Sequence, residues 1–465
     1  MPSRLSPKLS SHLADIQCIV GSGLGTLTGS TFWLLEINDR VRACQWLRNL
    51  QAGGALASVE EVRGGGALPE AVAVAFSHAG LQALNVVPAG KYPFPTAFSS
   101  GMGSALRAKL LNDGPRAGWQ WSDTGRNANC MTAHILVAHW YVSPPRALVS
   151  SLPAFDAQAF SQIRRIDGQR ASFRGNGKLY EPFGFRDGMA QPVIQGLRDD
   201  GNQARQDAGE YYDDRLVAPG EFILGYRNEY DELAYCPDAD DWDAFRPGDP
   251  PPGRFALNGS YLAVRQIAQD VARFAALEAQ HGTPLVEAMM GRAKTGMPLG
   301  WNGNGPVSDS KADAFRFRVQ DANGFVCPMG SHIRRVNPRD SLGVDVESGV
   351  RASKLHRLLR RGRPYLKLAD ARGPRGEGLF FIACNADLER QFEFVHQRWV
   401  RNPRFGNLHR EDDPIVGAPV QQKRFTIPGF PRGVEVSFNA LTKTVGGGYF
   451  FLPGLRALDF IAHRH

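Results

Sequence analysis

Three separated segments carry side chains that could share one reaction. The first is Gly184-Phe185-Arg186-Asp187-Gly188, where two glycines bracket one carboxylate and Gln191-Pro192 follows. The glycines let the backbone turn tightly and leave room for a bulky group to approach. Asp187 is then held on a constrained loop where a reacting group could use it. Alone, the pattern is more often a plain turn, because Asp-Gly is a standard turn dipeptide. The second segment, Cys327-Pro328-Met329-Gly330-Ser331-His332-Ile333-Arg334-Arg335-Val336-Asn337-Pro338-Arg339, centres on His332. A neutral imidazole nitrogen suits iron, although a histidine is often partly buried without any metal. The third, His356-Arg357-Leu358-Leu359-Arg360-Arg361-Gly362-Arg363-Pro364-Tyr365, supplies guanidinium groups. These stay charged and offer several donors to developing negative charge. Any one of them also suits a solvated helix face.

The elements that must position these residues follow from periodicity. Thr31–Ile37, Ala71–Phe76 and Ile135–Ala138 read as strands. Val41–Leu50, a short stretch through Leu81 and Leu84, and Phe155–Ile163 read as helices. This order is compatible with a β-α-β-β-α-β unit of ferredoxin-like type with insertions. The second half repeats it. Tyr261–Val264 is a strand, followed by a helix with the stripe Ile267, Val271, Phe274 and Leu277. Thr283-Pro284 supplies a helix cap and a proline at the first helical position. Leu379–Ile382 is a strand, and Leu388, Phe392, Val395 and Trp399 stripe the next helix. The duplication rests on element order, since the halves show no close sequence repeat. Two polar stretches, Asp199–Asp214 and Pro237–Pro252, read as surface insertions.

Composition narrows the class. The 465 residues can bury a sizeable core in two or more domains. With 43% hydrophobic and 22% charged residues, the chain reads as an ordinary soluble globular protein. No apolar run approaches the roughly 18–20 residues of a membrane span, and the first residues lead into no apolar signal core. The six cysteines are scattered and form no Cys-x-x-Cys pair, which predicts neither structural zinc nor a disulfide framework and suits a reducing cytoplasm. A net charge of +8 raises nucleic acid as a partner. The densest basic clusters, however, sit within the His332 and Arg360 segments, so an anionic cofactor or substrate accounts for them and nucleic acid is not expected. Gly21-Ser22-Gly23-Leu24-Gly25-Thr26 hints at a dinucleotide turn. The third glycine of Gly-x-Gly-x-x-Gly would fall on Thr26, and no helix pattern follows, so nicotinamide and flavin are not expected.

The acid loop, the histidine and the arginine, in this order, resemble the dye-decolorising peroxidase family. Asp15-Ile16-Gln17 resembles the family's opening, Gly220–Tyr226 its strand after the acid loop, and Asn258–Leu262 another strand. Gly291-Arg292 with Gly296–Leu299 resembles a helix end and its turn, and Gly447–Gly454 the closing strand. The resemblance covers nearly the whole chain. It implies an α+β fold of two ferredoxin-like domains with antiparallel sheets and flanking helices, of the dimeric α+β barrel type, divided as 1–182 and 183–465. It implies a cytoplasmic haem peroxidase carrying haem b (iron protoporphyrin IX), which reduces hydrogen peroxide while oxidising dyes, phenols or similar donors. The rival reading is a non-catalytic haem-binding or haem-transfer protein. On the family's pattern His332 is the iron ligand, Asp187 the acid–base group and Arg360 the charge stabiliser. Leu379 and Phe381 would line the haem, and Arg334, Arg335 and Arg339 are candidates for its propionates. Trp242, Trp301, Trp399, Tyr211 and Tyr365 are candidate surface relays for bulky donors, and a homo-oligomer stays open. One departure stands out: the family commonly has Ile-Ser after Asp-Gly, where this chain has Met189-Ala190.

Overall fold

Near-continuous apolar runs form the strands at 29–37, 70–76 and 135–141, as expected for strands buried on both faces. The computed structural model describes the chain except residues 1–8, 64–67, 87–89, 91, 114–117, 125–129, 143–151, 169–178, 198–213, 241, 243–253, 301–312, 314, 368–375, 430–431 and 465. In the first half, β1 (Gly29–Ile37), β2 (Glu70–Phe76), β3 (Ile135–Tyr141) and β4 (Phe160–Gly168) pair antiparallel in the order β4-β1-β3-β2. In the second, β5 (Ser260–Gln269), β6 (Arg363–Lys367), β7 (Gly376–Asn385) and β8 (Thr442–Leu452) pair antiparallel in the order β8-β5-β7-β6. Counted within each half, both orders read fourth, first, third, second. That shared order is the duplication expected from the element sequence.

Two seams close these strands into a ring. Phe76 of β2 pairs with Phe451 of β8, and Tyr365 of β6 pairs with Gly168 of β4. Closure leaves no free edge among these eight strands. Gln17 locks the first seam: its Nε2 donates to Val74 O and to Pro453 O, both at 2.9 Å, and its Oε1 accepts from Val74 N at 2.8 Å. The family-like opening is therefore a structural clasp. Inside the ring, Phe32, Leu34 and Leu136 meet Val264, Phe380, Ile382 and Phe450, and Phe32 stacks on Phe380 with centroids 4.4 Å apart.

Helices cover the outside. In α1 (Arg40–Ala52), the Asp39 side chain caps the Arg42 N–H, and Trp46, Leu47 and Leu50 turn inward. Trp46 stacks on Phe155 at 5.3 Å, and Phe155 tilts against Trp33 of β1 at 4.7 Å. On the second half, α2 (Val271–His281) and α3 (Thr283–Met290) precede α4 (His332–Val336).

Several local expectations change. Phe155–Ile163 is not a helix: the chain is irregular at Phe155, turns at 157–159 and enters β4 at Phe160. Its apolar spacing reflects Phe155 and Phe160 packing on Trp46. Ile267 belongs to β5, not to the following helix, which begins at Val271 after the Asp270 cap. Gly282, rather than Thr283, caps α3, and Thr283 Oγ1 donates to Glu278 instead. Gly220–Tyr226 forms a 3-10 turn at Pro219–Glu221 and further turns, not a strand. Most of the two polar insertions lies outside the described residues.

Candidate active site

Strand alternation puts one row of second-half side chains on the outward face. Arg265, Ile267 and Gln269 of β5 stand beside Leu379 and Phe381 of β7 and Thr442 and Thr444 of β8, with Leu379 paired to Ile267 and Phe381 to Arg265. Together with His332, Ile333 and Val336 of α4 and the segment 415–419 except Ala418, this row encloses a cavity of about 860 Å³. That lies within the roughly 300–1,000 Å³ of ligand pockets. Asp187, His332, Arg339, Arg360, Leu379 and Phe381 all line it.

His332 opens α4, whose start is fixed by the buried Ser331 hydroxyl donating to Ala288 O at 2.5 Å. The imidazole Nδ1 lies 2.8 Å from Asp413 Oδ2. Asp413 is fully buried; its Oδ1 accepts from Ile415 N and Val416 N, both at 2.8 Å. Burial opposes its charge, yet His332 and then Arg335 hold its carboxyl at about 2. Nδ1 is therefore the donor and Nε2 the nitrogen available to a metal, the usual carboxylate–histidine arrangement at metal sites. Asp413 was not singled out from sequence. It is one of three consecutive acids, Glu411-Asp412-Asp413, and only the fold tells them apart.

The Asp187 loop confirms the need for its glycines, with φ of 89° at Gly184 and 79° at Gly188. Glu181 organises it from within, accepting from Phe183 N at 3.1 Å, Phe185 N at 2.9 Å and Gln269 Nε2 at 2.7 Å. Burial raises the Glu181 carboxyl above its ordinary range. Arg360 lies in a two-residue strand paired with β7, opposite Ala383 and so on the cavity face. Its Nη2 donates to Met189 O, and its N–H donates to Gln191 Oε1 at 3.1 Å. Burial lowers its guanidinium below the ordinary value while Asp187 and Asp313 oppose this, and arginine remains charged. Ala190, at φ 57°, holds the position where the family commonly has serine, and its carbonyl accepts from Arg357 Nη2 at 3.2 Å.

Arg334 and Arg335 do not line the cavity; both are corrections to the expectation. Arg334 is buried against Asp321 and the carbonyls of Asp321, Ala322 and Cys327. Arg335 donates to the carbonyls of Gly330, Trp399, Asn402 and Glu411. Arg339 reaches the cavity and shares Asp313 with Arg292, which also lines it and was missed. A buried knot of Asp113, Arg265, His396 and Arg401 borders the cavity elsewhere. The relay candidates Trp242, Trp399 and Tyr365 are buried rather than on the surface, and Trp301 and Tyr211 lie outside the described residues.

The C-terminal family of Dyp-type peroxidases matches residues 248–408, which hold His332, Arg360, Leu379 and Phe381. The dye-decolorizing peroxidase msp1 of Mycetinis scorodonius is 27% identical over 428 residues, spanning 83% of this chain and 75% of that protein. The chain is similar to Dyp-type peroxidases over most of its length. The multifunctional dye peroxidase DyP2 of an Amycolatopsis species is 26% identical over 419 residues, with 84% of this chain and 83% of that protein covered. The crystal structure of the Anabaena DyP-type peroxidase superposes with a TM-score of 0.75 at 21% identity, covering 98% of this chain and 95% of that one. Two ferredoxin-like halves are thus the fold of this chain as well.

The residues present fit a haem. The cavity offers one imidazole whose other nitrogen is taken by a carboxylate. Leu379, Phe381, Val336, Ile415 and Val416 give apolar walls for a flat macrocycle, and Arg292, Arg339 and Arg357 give positive charge for its carboxylates.

Proposed function

We propose that the cavity holds haem b, that His332 Nε2 would bind its iron, and that the protein reduces hydrogen peroxide while oxidising dyes, phenols or similar one-electron donors. One observation carries the reading: a single cavity joins Asp187 and Arg360 to a histidine backed by buried Asp413. Iron porphyrin, when bound, supplies the redox chemistry. Asp413 fixes the imidazole tautomer and increases its basicity. Asp187 takes the proton from an incoming peroxide and delivers it to the departing oxygen. Arg360 stabilises negative charge developing on the oxygens. Leu379 and Phe381 keep this side apolar, and Arg339 is the arginine of the predicted three that remains for a propionate.

A reducing cytoplasm suits the six scattered cysteines. Among the described residues, no helix is long and apolar enough to cross a membrane. A boundary at 182/183 would put Asp187 with the haem-binding half, with Glu181, which holds the acid loop, just before it.

An absorption scan of haem-loaded protein, before and after one equivalent of hydrogen peroxide, tests the reading. A ferric Soret band that converts promptly and returns on adding a dye is the expected result. A band that merely bleaches would favour the carrier, and absence of haem uptake would remove the haem assignment.

A further inference from the structure

The glycine-rich segment that fails as a dinucleotide turn has a place in the site. Gly23 and Gly25 are both exposed and both line the cavity, so they stand where it meets solvent. Arg363 Nη2 donates to Gly23 O at 2.8 Å and to Leu24 O at 2.9 Å. Arg361 Nε donates to Ile19 O at 2.6 Å, and its Nη2 to Val20 O at 2.9 Å. The segment is thus pinned to the turn that follows Arg360. Arg363 is also close enough to Asp187 for that carboxylate to favour its charge.

A glycine is usually required by a left-handed backbone or by a close neighbour. Neither applies here. Gly23 and Gly25 do not adopt positive φ, and a Cβ built on either meets no protein atom within 4 Å. Their neighbour Gly21 differs, since its Cβ would lie 2.8 Å from Val59 Cγ1. What the missing side chains at 23 and 25 keep clear is therefore the opening itself.

We propose that Gly23 and Gly25 set the size limit of the passage leading to the Asp187 side of the cavity, their missing side chains leaving room for ligands bulkier than hydrogen peroxide that side chains there would exclude. The inference rests on the haem reading above. Side chains added at these positions would project into the passage without disturbing the packing behind it.

The test is a graded series, Gly25→Ala, Gly25→Val and Gly25→Leu, with Gly23→Val. Gly90→Val is the control, an exposed glycine with equally open space that does not line the cavity. Each haem-loaded protein is mixed with cyanide, imidazole or 4-phenylimidazole, and the association rate is followed by the Soret shift. Rates with hydrogen peroxide and cumene hydroperoxide are compared in parallel. The expected result is a slowing that grows with both side-chain and ligand size. It should reach about tenfold or more for 4-phenylimidazole in Gly25→Leu, the scale on which a shaped pocket rejects an extra methylene or two. Cyanide should change little, the ferric spectrum should be unaltered, and Gly90→Val should match the parent. Unchanged rates, or a slowing equal for every ligand size, would overturn the inference while leaving the haem reading intact. A parent protein that takes up no haem would overturn both.

Discussion

The two halves share one strand order, yet their outward faces differ in what they meet. On the first half, Leu35, Val72, Val74, Ile135 and Val137 pack with Trp46, Leu47 and Leu50 of α1, and aromatic stacking runs from Trp33 through Phe155 to Trp46. On the second, Arg265, Gln269, Thr442 and Thr444 stand among Ile267, Leu379 and Phe381, and a cavity lies where the first half has a helix. A buried polar group without a partner is costly, so such a row could not face a helix like α1. The ferredoxin-like frame supplies two equivalent faces, and side-chain chemistry alone decides which becomes core and which becomes site.

The sharpest way to break this comparison is to damage function on the hollow face without touching stability. Asp187→Asn removes the proton acceptor but keeps the loop's shape, so the reaction with peroxide should slow by about 10²–10⁴-fold. The thermal midpoint and the ferric spectrum should stay close to those of the parent. Stopped-flow mixing with peroxide checks this, and a variant of undiminished rate would remove Asp187 from the chemistry.

Next comes the charged knot at the cavity's border, where the hollow face carries stability after all. Asp113 accepts from Arg265 Nη1 at 2.8 Å and Nη2 at 2.7 Å, and Arg401 Nη1 lies 2.8 Å away. Asp113→Asn leaves two buried guanidinium groups without their anion, and should cost about 3–5 kcal/mol in urea unfolding. Burial alone would raise the Asp113 carboxyl, but Arg265, then His396 and Arg401, hold it well below the usual range. A depressed carboxylate stabilises the fold above the ordinary value near pH 4 and loses that contribution as pH falls through its folded value. The stability gap between parent and Asp113→Asn should therefore narrow on acidification below about pH 4. A gap constant from pH 6 to pH 3 would show that the carboxylate charge is not what holds the knot.

Much of this contrast was legible in the chain. The apolar runs at 31–37, 71–76 and 135–138 marked strands buried on both faces, and the glycines at 184 and 188 marked a loop that needs positive φ. Arg360 and His332, which both line the cavity, were singled out through their flanking residues. The failures have a common physical cause: spacing along the chain does not say which surface a side chain will meet. Ile267 fits a helical stripe as well as a strand, and its partners Leu379 and Thr444 are distant in sequence. Arg334 and Arg335 flank His332, yet helical rotation turns both away from the cavity into a cage of carbonyls. Asp413 could be recognised only once the fold brought it 2.8 Å from His332.

The finest test of the contrast uses two adjacent residues of one strand. Phe380 and Phe381 have the same side chain, and β7 turns them to opposite faces. Phe380 is fully buried inside the ring against Phe32, whereas Phe381 is half-buried and lines the cavity. Phe380→Ala should cost about 3–5 kcal/mol, because close-packed neighbours cannot fill the hole. Phe381→Ala, measured without haem, should cost only about 1 kcal/mol, since one side of its ring already lacks partner atoms. In haem-loaded protein the ranking should reverse for spectroscopy: Phe381→Ala shifts the Soret band and ligand association rates, while folded Phe380→Ala leaves both unchanged. Equal destabilisation by the two substitutions would mean that the second half's outward face is packed like the first, and that the cavity is not the space a haem requires.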